Sequence, residues 1–308
     1  MLISSPHPCL PAGRFSSPQL VPVRIFAKTP YMRFWQLIFL ASLVWLSSCN
    51  SSNNVSQDDS LKKFFTDNKV EGCFAIMNNA TGQFTLYNLA RYRHSSYLPA
   101  STFKIINSLI GLQTGVIKND SMIIPWDGVT RAIPEWNQDL SMYHAFRISS
   151  VPYYQEVARR IGKDTMTLWL DSLKYGLRTE KEHFKLRSAV DSFWLDNSIK
   201  VTPDEQLGIV KRLYFNQLPF YKSYQETVKR AMLQESNTKY RMGYKTGLGS
   251  TEKGHPLGWI VGWIEENNHP YFFVLNLESS DPNANLTTVR MKMLTDILDH
   301  LGFRNGEK

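Results

Sequence analysis

The stretch Pro99-Ala100-Ser101-Thr102-Phe103-Lys104-Ile105-Ile106-Asn107-Ser108-Leu109-Ile110 constrains this chain more than any other. Apolar residues recur at Ile105, Leu109 and Leu112 and again at Ile106 and Ile110, which is helical spacing. Pro99 stands where it can end the incoming segment, and Gly115 where the helix can stop. The pattern predicts Ser101 in the first turn of a buried helix, near the positive end of its dipole, which favours a developing oxyanion. Lys104 is three residues on and shares that face. Ser-x-x-Lys occurs at Ser60/Lys63, Ser101/Lys104, Ser236/Lys239 and Ser250/Lys253, but only at Ser101 inside an apolar helical run. Burying a lysine is costly unless it is neutralised or paired. Two readings stand: an activated nucleophile whose neighbouring amine, or something built on it, is basic, and a lysine that snorkels to water.

The rest of the 308 residues, 43% apolar and 13% aromatic, suits one large domain or two closely packed lobes. The net charge of +8 comes from scattered lysines and arginines with no long basic run. That argues against nucleic-acid binding and suits an anionic small substrate or the cell envelope. Cys9, Cys49 and Cys73 build neither a disulfide framework nor a zinc pattern. The seven dispersed histidines contain no His-Glu-x-x-His, so no metal site is expected. Cys73, in a strand-like run, reads as a buried small hydrophobe.

Near the N-terminus, Met32-Arg33 opens a charged start, and residues 34–46 form an apolar run too short for an ordinary membrane span. Leu46-Ser47-Ser48-Cys49 resembles the cleavage site of a bacterial lipoprotein signal. The organisation expected is an over-called extension over 1–31, a signal peptide over 32–48, a polar tether over 49–60 and a folded domain over 61–308. Cys49 would then carry lipid and hold the domain on the periplasmic side of the cell envelope. The other reading is an ordinary signal peptide with an incidental cysteine, leaving the protein periplasmic or secreted.

Strand-like runs over 72–78 and 83–88 flank the hairpin signal Asn79-Ala80-Thr81-Gly82. Residues 118–146, broken by Pro125, Gly128 and Pro134, predict loops with short helices. Helical patterns follow over 151–161, 165–175, 204–214 and 224–233, then strands over 240–249, 259–265 and 271–277. The last two strands join through Glu266-Asn267-Asn268-His269-Pro270. A final amphipathic helix carries Val289, Met293, Leu294, Ile297, Leu298 and Leu301. Strands at both ends with helices between predict an α+β fold: one antiparallel sheet completed by both termini, flanked by helices, with a helical subdomain.

Two further segments give the Ser-Lys pair a context. Ser149-Ser150-Val151-Pro152 opens a helix in mid-chain, and Lys245-Thr246-Gly247, followed by Leu248-Gly249, lies on a predicted strand. Ser-x-x-Lys, then Ser-x-Val, then Lys-Thr-Gly is the order of the penicillin-recognising serine enzymes. With Trp126-Asp127-Gly128, Tyr175-Gly176 and Phe193-Trp194-Leu195-Asp196 added, residues 72–302 resemble a class D (oxacillinase-type) serine β-lactamase. One departure is Tyr175-Gly176-Leu177, where the family usually has Tyr-Gly-Asn, followed by a longer, charged segment.

The resemblance implies a β-lactamase/transpeptidase-like fold and hydrolysis of β-lactam antibiotics through an acyl-enzyme on Ser101. It implies that Lys104 takes up carbon dioxide as an N-carboxylate, the general base of both steps, with no other cofactor. Val151 and Leu195 would line that pocket, and the Trp194 indole would donate to the carbamate. The N–H groups of Ser101 and Leu248 would form the oxyanion hole, Ser149 would relay a proton with Lys245 nearby, and Thr246 and Gly247 would border the substrate. Arg290 is the candidate for the substrate carboxylate. The bland alternatives are a surface arginine at 290 and a core aromatic at Trp194. Rival functions are an antibiotic-sensing receptor domain that is acylated but not turned over, a D,D-peptidase, and a non-enzymatic solute-binding lipoprotein.

Overall fold

The computed structural model describes residues 54–176 and 182–308. The expected extension, signal peptide and lipid-bearing Cys49 lie outside the described residues, as does Leu177. Nine strands occur among the described residues: β1 (Val55–Gln57), β2 (Glu71–Asn78), β3 (Phe84–Tyr87), β4 (Ile123–Ile124), β5 (Leu140–Ser141), β6 (Leu233–Ser236), β7 (Arg241–Ser250), β8 (Pro256–Glu266) and β9 (His269–Glu278). Seven form one sheet in the order β1-β3-β2-β9-β8-β7-β6, and β4 pairs with β5 apart from it. Strands from both ends of the domain therefore meet at its centre, where Glu71–Asn78 pairs with Tyr271–Glu278.

Three expectations need correction. The sheet is mixed, because β1 runs parallel to β3 while every other neighbouring pair is antiparallel. Val55–Gln57 was expected in a polar tether, yet it pairs in register with Phe84, Thr85 and Leu86. A three-residue strand at a sheet edge is held by backbone pairing and shows no apolar alternation to announce it. The β8–β9 connection is also tighter than the expected 266–270 loop. It is the two-residue turn Asn267-Asn268, with φ of 50° and 62°, the geometry of a type I′ hairpin. Pro270 lies within β9 near its start, opposite Glu265, where a missing N–H is tolerated.

Alternation along the central strands sends side chains into two cores. Leu257, Trp259, Val261 and Trp263 of β8 join Phe272 and Val274 of β9 on one face, under Lys104–Gln113 and the other helices between β3 and β6. Ile260, Ile264, Phe273, Leu275 and Leu277 occupy the other face, covered by the Lys62–Asp67 and Leu286–His300 helices. The helix expected over 151–161 forms as Val151–Ile161, and the others lie within about two residues of their expected bounds: Lys163–Leu173, Pro203–Tyr214 and Lys222–Met232.

Phe273 is fully buried in the core on the far side of the sheet from the Ser101 segment. Phe273→Ala is expected to lower unfolding free energy by roughly 3–5 kcal/mol through lost transfer energy and a residual cavity. Denaturant titration checks this, with a midpoint shift of the matching size as the expected result.

Candidate active site

Ser101 sits in a 3₁₀ turn, Ala100–Phe103, that runs directly into the Lys104–Gln113 helix. The expectation that it occupies the first turn of the α-helix is therefore displaced by one short element. Gly115 does follow the helix end, with φ of 74°. Ala100, fully buried and immediately before Ser101, has φ of 48°, a left-handed conformation that costs an L-residue roughly 1–2 kcal/mol. Its N–H donates to the Trp194 carbonyl at 3.1 Å, and the Trp259 indole donates to the Leu98 carbonyl at 2.9 Å. Ser101 itself is partly exposed, whereas every residue of 102–112 is buried.

Lys104 is completely buried, and its Nζ lies 2.8 Å from Ser101 Oγ. Burial alone pushes the Lys104 amine down to about 7, because no acidic side chain compensates the lost hydration. The Tyr154 ring, 5.6 Å from Nζ, is the aromatic wall of this pocket. The snorkelling reading is thereby excluded.

A second serine–lysine pair faces the first. Lys245, on β7, donates from Nζ to Ser149 Oγ at 2.9 Å and to its neighbour's carbonyl, Thr246 O, at 3.0 Å. Burial holds Lys245 well below the usual lysine range, and the charges of Lys104 and Arg290 push it further down. Ser149 has φ of 58°. It stands just before Ser150, the N-cap of Val151–Ile161, whose hydroxyl accepts the Tyr153 N–H at 3.4 Å. Val151 opens that helix and stays partly exposed beside Ser149.

Along β7, Lys245, Thr246, Gly247 and Leu248 present the remaining expected residues in order. Gly247 has a packing reason to be glycine: a Cβ there would sit 3.1 Å from the Pro99 carbonyl and 3.2 Å from Thr102 Cγ2. The strand thus lies directly against the Ser101 turn. Leu248 follows with its side chain turned outward. Arg290, on Leu286–His300, is buried and donates from Nη1 to the Gly247 carbonyl, while its buried Nε has no partner. It is therefore no surface arginine.

Trp194 is buried with its ring stacked on Phe103 at 5.2 Å between centroids, and its indole N–H finds no partner. A buried N–H without an acceptor is costly, so a core-filling role alone leaves this donor unexplained. Leu195 follows, partly exposed. Cys73 is buried, and burial raises its thiol to about 12, in keeping with a small hydrophobe. Among the described residues no group of three or more His, Cys, Asp or Glu side chains is placed to hold a metal ion.

The sequence pattern missed three contributors: strained Ala100, Tyr154 beside Lys104, and Gln206, which reaches the Ser101 turn from a helix some hundred residues away. Only the last had a trace in the sequence, since Thr202-Pro203-Asp204-Glu205 is a helix start that puts Gln206 in the first turns.

A serine beside a buried lysine, faced by a second serine and lysine at the edge of a β-strand, on a sheet closed by both termini, defines a penicillin-recognising serine enzyme. Similarity to known proteins narrows this class. Residues 66–299 match the penicillin binding protein transpeptidase domain family. The chain is 37% identical over 242 residues to β-lactamase OXA-48 of Klebsiella pneumoniae, covering 79% of this chain and 88% of that protein. The crystal structure of FUS-1 (OXA-85), a class D β-lactamase from Fusobacterium nucleatum subsp. polymorphum, superposes with a TM-score of 0.74 at 31% identity, covering 82% of this chain and all of that one. Regulatory protein BlaR1 of Bacillus licheniformis is 32% identical over 250 residues, 81% of this chain and 40% of that protein. The chain belongs to the class D serine β-lactamase family.

The buried amine carries a stability consequence. Between pH about 7 and the ordinary lysine value of 10.5, the unfolded chain holds a proton at Lys104 that the folded chain does not. Folded stability attributable to this group therefore rises with pH across that window. Lys104→Met removes a penalty on the order of 4 kcal/mol at pH 7 and below. In carbon-dioxide-free buffer, denaturant midpoints should show the variant more stable than wild type at pH 7, with the gap closing toward pH 10. A gap independent of pH would mean the amine is not buried in its neutral form.

Proposed function

We propose that the protein hydrolyses β-lactam antibiotics through an acyl-enzyme on Ser101, with Lys104 carboxylated on Nζ as the base of both steps. The observation that carries this reading is the Lys104 amine, fully buried, 2.8 Å from Ser101 Oγ and without an acidic partner. A neutral amine can add to carbon dioxide and shed a proton to water, whereas an ammonium cannot, and burial, by lowering this amine to about 7, leaves a large share of it neutral near physiological pH. The unpartnered Trp194 indole, on the ring stacked against Phe103, is a donor suited to an anion built on the next residue. Val151 and Leu195 border the pocket. The carboxylated amine supplies an anionic base.

The remaining chemistry belongs to this chain's own groups. Ser101 Oγ loses its proton and attacks the lactam carbonyl, and the N–H groups of Ser101 and Leu248 receive the oxyanion. Ser149, with Lys245 2.9 Å away, passes a proton to the departing nitrogen. Arg290 takes the substrate carboxylate, for which its free Nε is available, while Thr246 and Gly247 border the substrate along β7. Water then cleaves the ester and frees Ser101. We further place the protein at the bacterial cell envelope through lipid on Cys49, outside the described residues; fatty-acid labelling lost in Cys49→Ser supports this, and equal labelling of both proteins overturns it.

Similarity to BlaR1 favours one rival, a sensor that is acylated but not turned over. Turnover of a chromogenic cephalosporin separates the two: sustained hydrolysis supports the enzyme, and a single stoichiometric burst supports the sensor. Acidification is expected to reduce the rate, with recovery on adding bicarbonate. In Trp194→Ala deacylation should suffer more than acylation, because the acyl-enzyme then lacks a base for its water. Equal rates with and without bicarbonate across pH would mean that Lys104 acts as a plain amine.

A further inference from the structure

The Ser101 turn is braced by a buried hydrogen-bond chain that ends on a different helix. The Thr102 hydroxyl donates to the Pro99 carbonyl at 2.6 Å, and the Thr102 N–H reaches the same carbonyl at 3.2 Å. Gln206 Nε2 donates to Thr102 Oγ1 at 2.6 Å, and the two residues are 2% and 1% exposed. A threonine hydroxyl has one proton and two lone pairs. With Gln206 donating to the oxygen, that proton is directed at Pro99 O, so the two bonds form one polarised chain, Gln206 to Thr102 to Pro99.

This chain spans the strained part of the backbone, from Pro99 across Ala100 and Ser101 to Thr102. A left-handed alanine persists only where its surroundings over-determine it, and here the Trp194 carbonyl holds it on one side while Gln206 holds the turn on the other. The Gln206 side is rigid in its own right. Thr202 caps the Pro203–Tyr214 helix by accepting the Glu205 N–H at 3.1 Å, and the Glu205 carboxylate accepts the Gly176 N–H at 2.5 Å. Tyr97 and Val201 exchange backbone hydrogen bonds at 2.9 and 2.8 Å just upstream of both segments. The Pro99 carbonyl that receives the chain also faces Gly247 on β7, so any movement of the turn alters the spacing between Ser101 and Leu248.

We infer that Gln206 is a positioning residue for the nucleophile: through Thr102 it fixes the Pro99–Thr102 turn and with it the direction of Ser101 Oγ and the spacing of the Ser101 and Leu248 N–H groups. The inference deepens the proposed function and rests on Ser101 being the acylated group. Misplacing a reacting group by a fraction of an ångström to one ångström costs roughly tenfold to a hundredfold in rate. The loss should fall on acylation and leave substrate recognition by Arg290 largely alone.

The test is pre-steady-state acylation by a chromogenic cephalosporin, with the adduct located by mass spectrometry, in wild type, Gln206→Leu, Thr102→Val, Thr102→Ser and the Gln206→Leu/Thr102→Val double variant. Acylation should slow roughly tenfold to a hundredfold in Gln206→Leu and in Thr102→Val. The double variant should be no slower than the worse single, since both break one chain. Thr102→Ser, which keeps the hydroxyl, should acylate near the wild-type rate with KM unchanged. Wild-type speed in Gln206→Leu, or additive losses in the double variant, overturns the inference while the Ser101 adduct still forms. If Gln206→Leu does not fold, equal rates for Thr102→Val and Thr102→Ser overturn it. An unmodified Ser101 in turned-over wild type removes the nucleophile assignment, and the inference falls with it.

Discussion

One constraint orders the active site: a lysine fully buried among apolar groups with no acid to neutralise it. A charged ammonium there would forfeit its hydration for nothing in return, so the amine gives up its proton far more readily than an ordinary lysine. The apolar surroundings that enforce this are the same residues that make the segment fold. Ile105, Ile106, Leu109, Ile110 and Leu112 bury the helix, and Phe103 stacks on Trp194 just before the lysine. Removing those contacts to admit water would return Lys104 to its ordinary charge and end its usefulness as a base. Stability and reactivity are thus opposed at this one side chain, as expected where a strained or costly group is functional.

The same constraint reaches the neighbours. Lys245 and Arg290 are also buried; burial disfavours a proton on Lys245, and the Arg290 charge, with Lys104 whenever it is protonated, disfavours it further. Burial also lowers Arg290 to about 10. Among the groups perturbing Lys104 and Lys245 there is no carboxylate, so the site is built to receive an anion rather than to rest in internal ion pairs. The sheet supplies the precision: β7 lies between β6 and β8 and is pressed against the Ser101 turn at Gly247, so Lys245 and Leu248 are fixed relative to Ser101 by backbone pairing.

Much of this was legible in the sequence, for identifiable reasons. Ser101, Lys104, Ser149, Lys245 and the Lys-Thr-Gly strand could be read because their chemistry demands particular residues at short fixed spacing on regular elements. Long amphipathic helices such as Val151–Ile161 and Leu286–His300 could be read from periodicity. What stayed hidden depends on contacts distant in sequence. The β1 strand has no apolar pattern and exists only through its pairing with β3. The 3₁₀ turn at Ser101 replaces a helical start because Ala100 is held left-handed by the Trp194 carbonyl, an interaction spanning the middle of the chain. Gln206 meets Thr102 across 104 residues, and no local rule joins them. The Asn267-Asn268 turn was within reach, but Pro270 disguised the start of β9.

The proposed mechanism turns on the chemical state of Lys104, and carbon-13 NMR of the protein equilibrated with carbon-13 bicarbonate reads that state without relying on turnover. A carboxylated Lys104 predicts a bound carbamate resonance at mildly alkaline pH that disappears on acidification, returns on realkalinisation with bicarbonate, and is absent from Lys104→Met. A folded, active wild-type protein that shows no such resonance under saturating bicarbonate would contradict it.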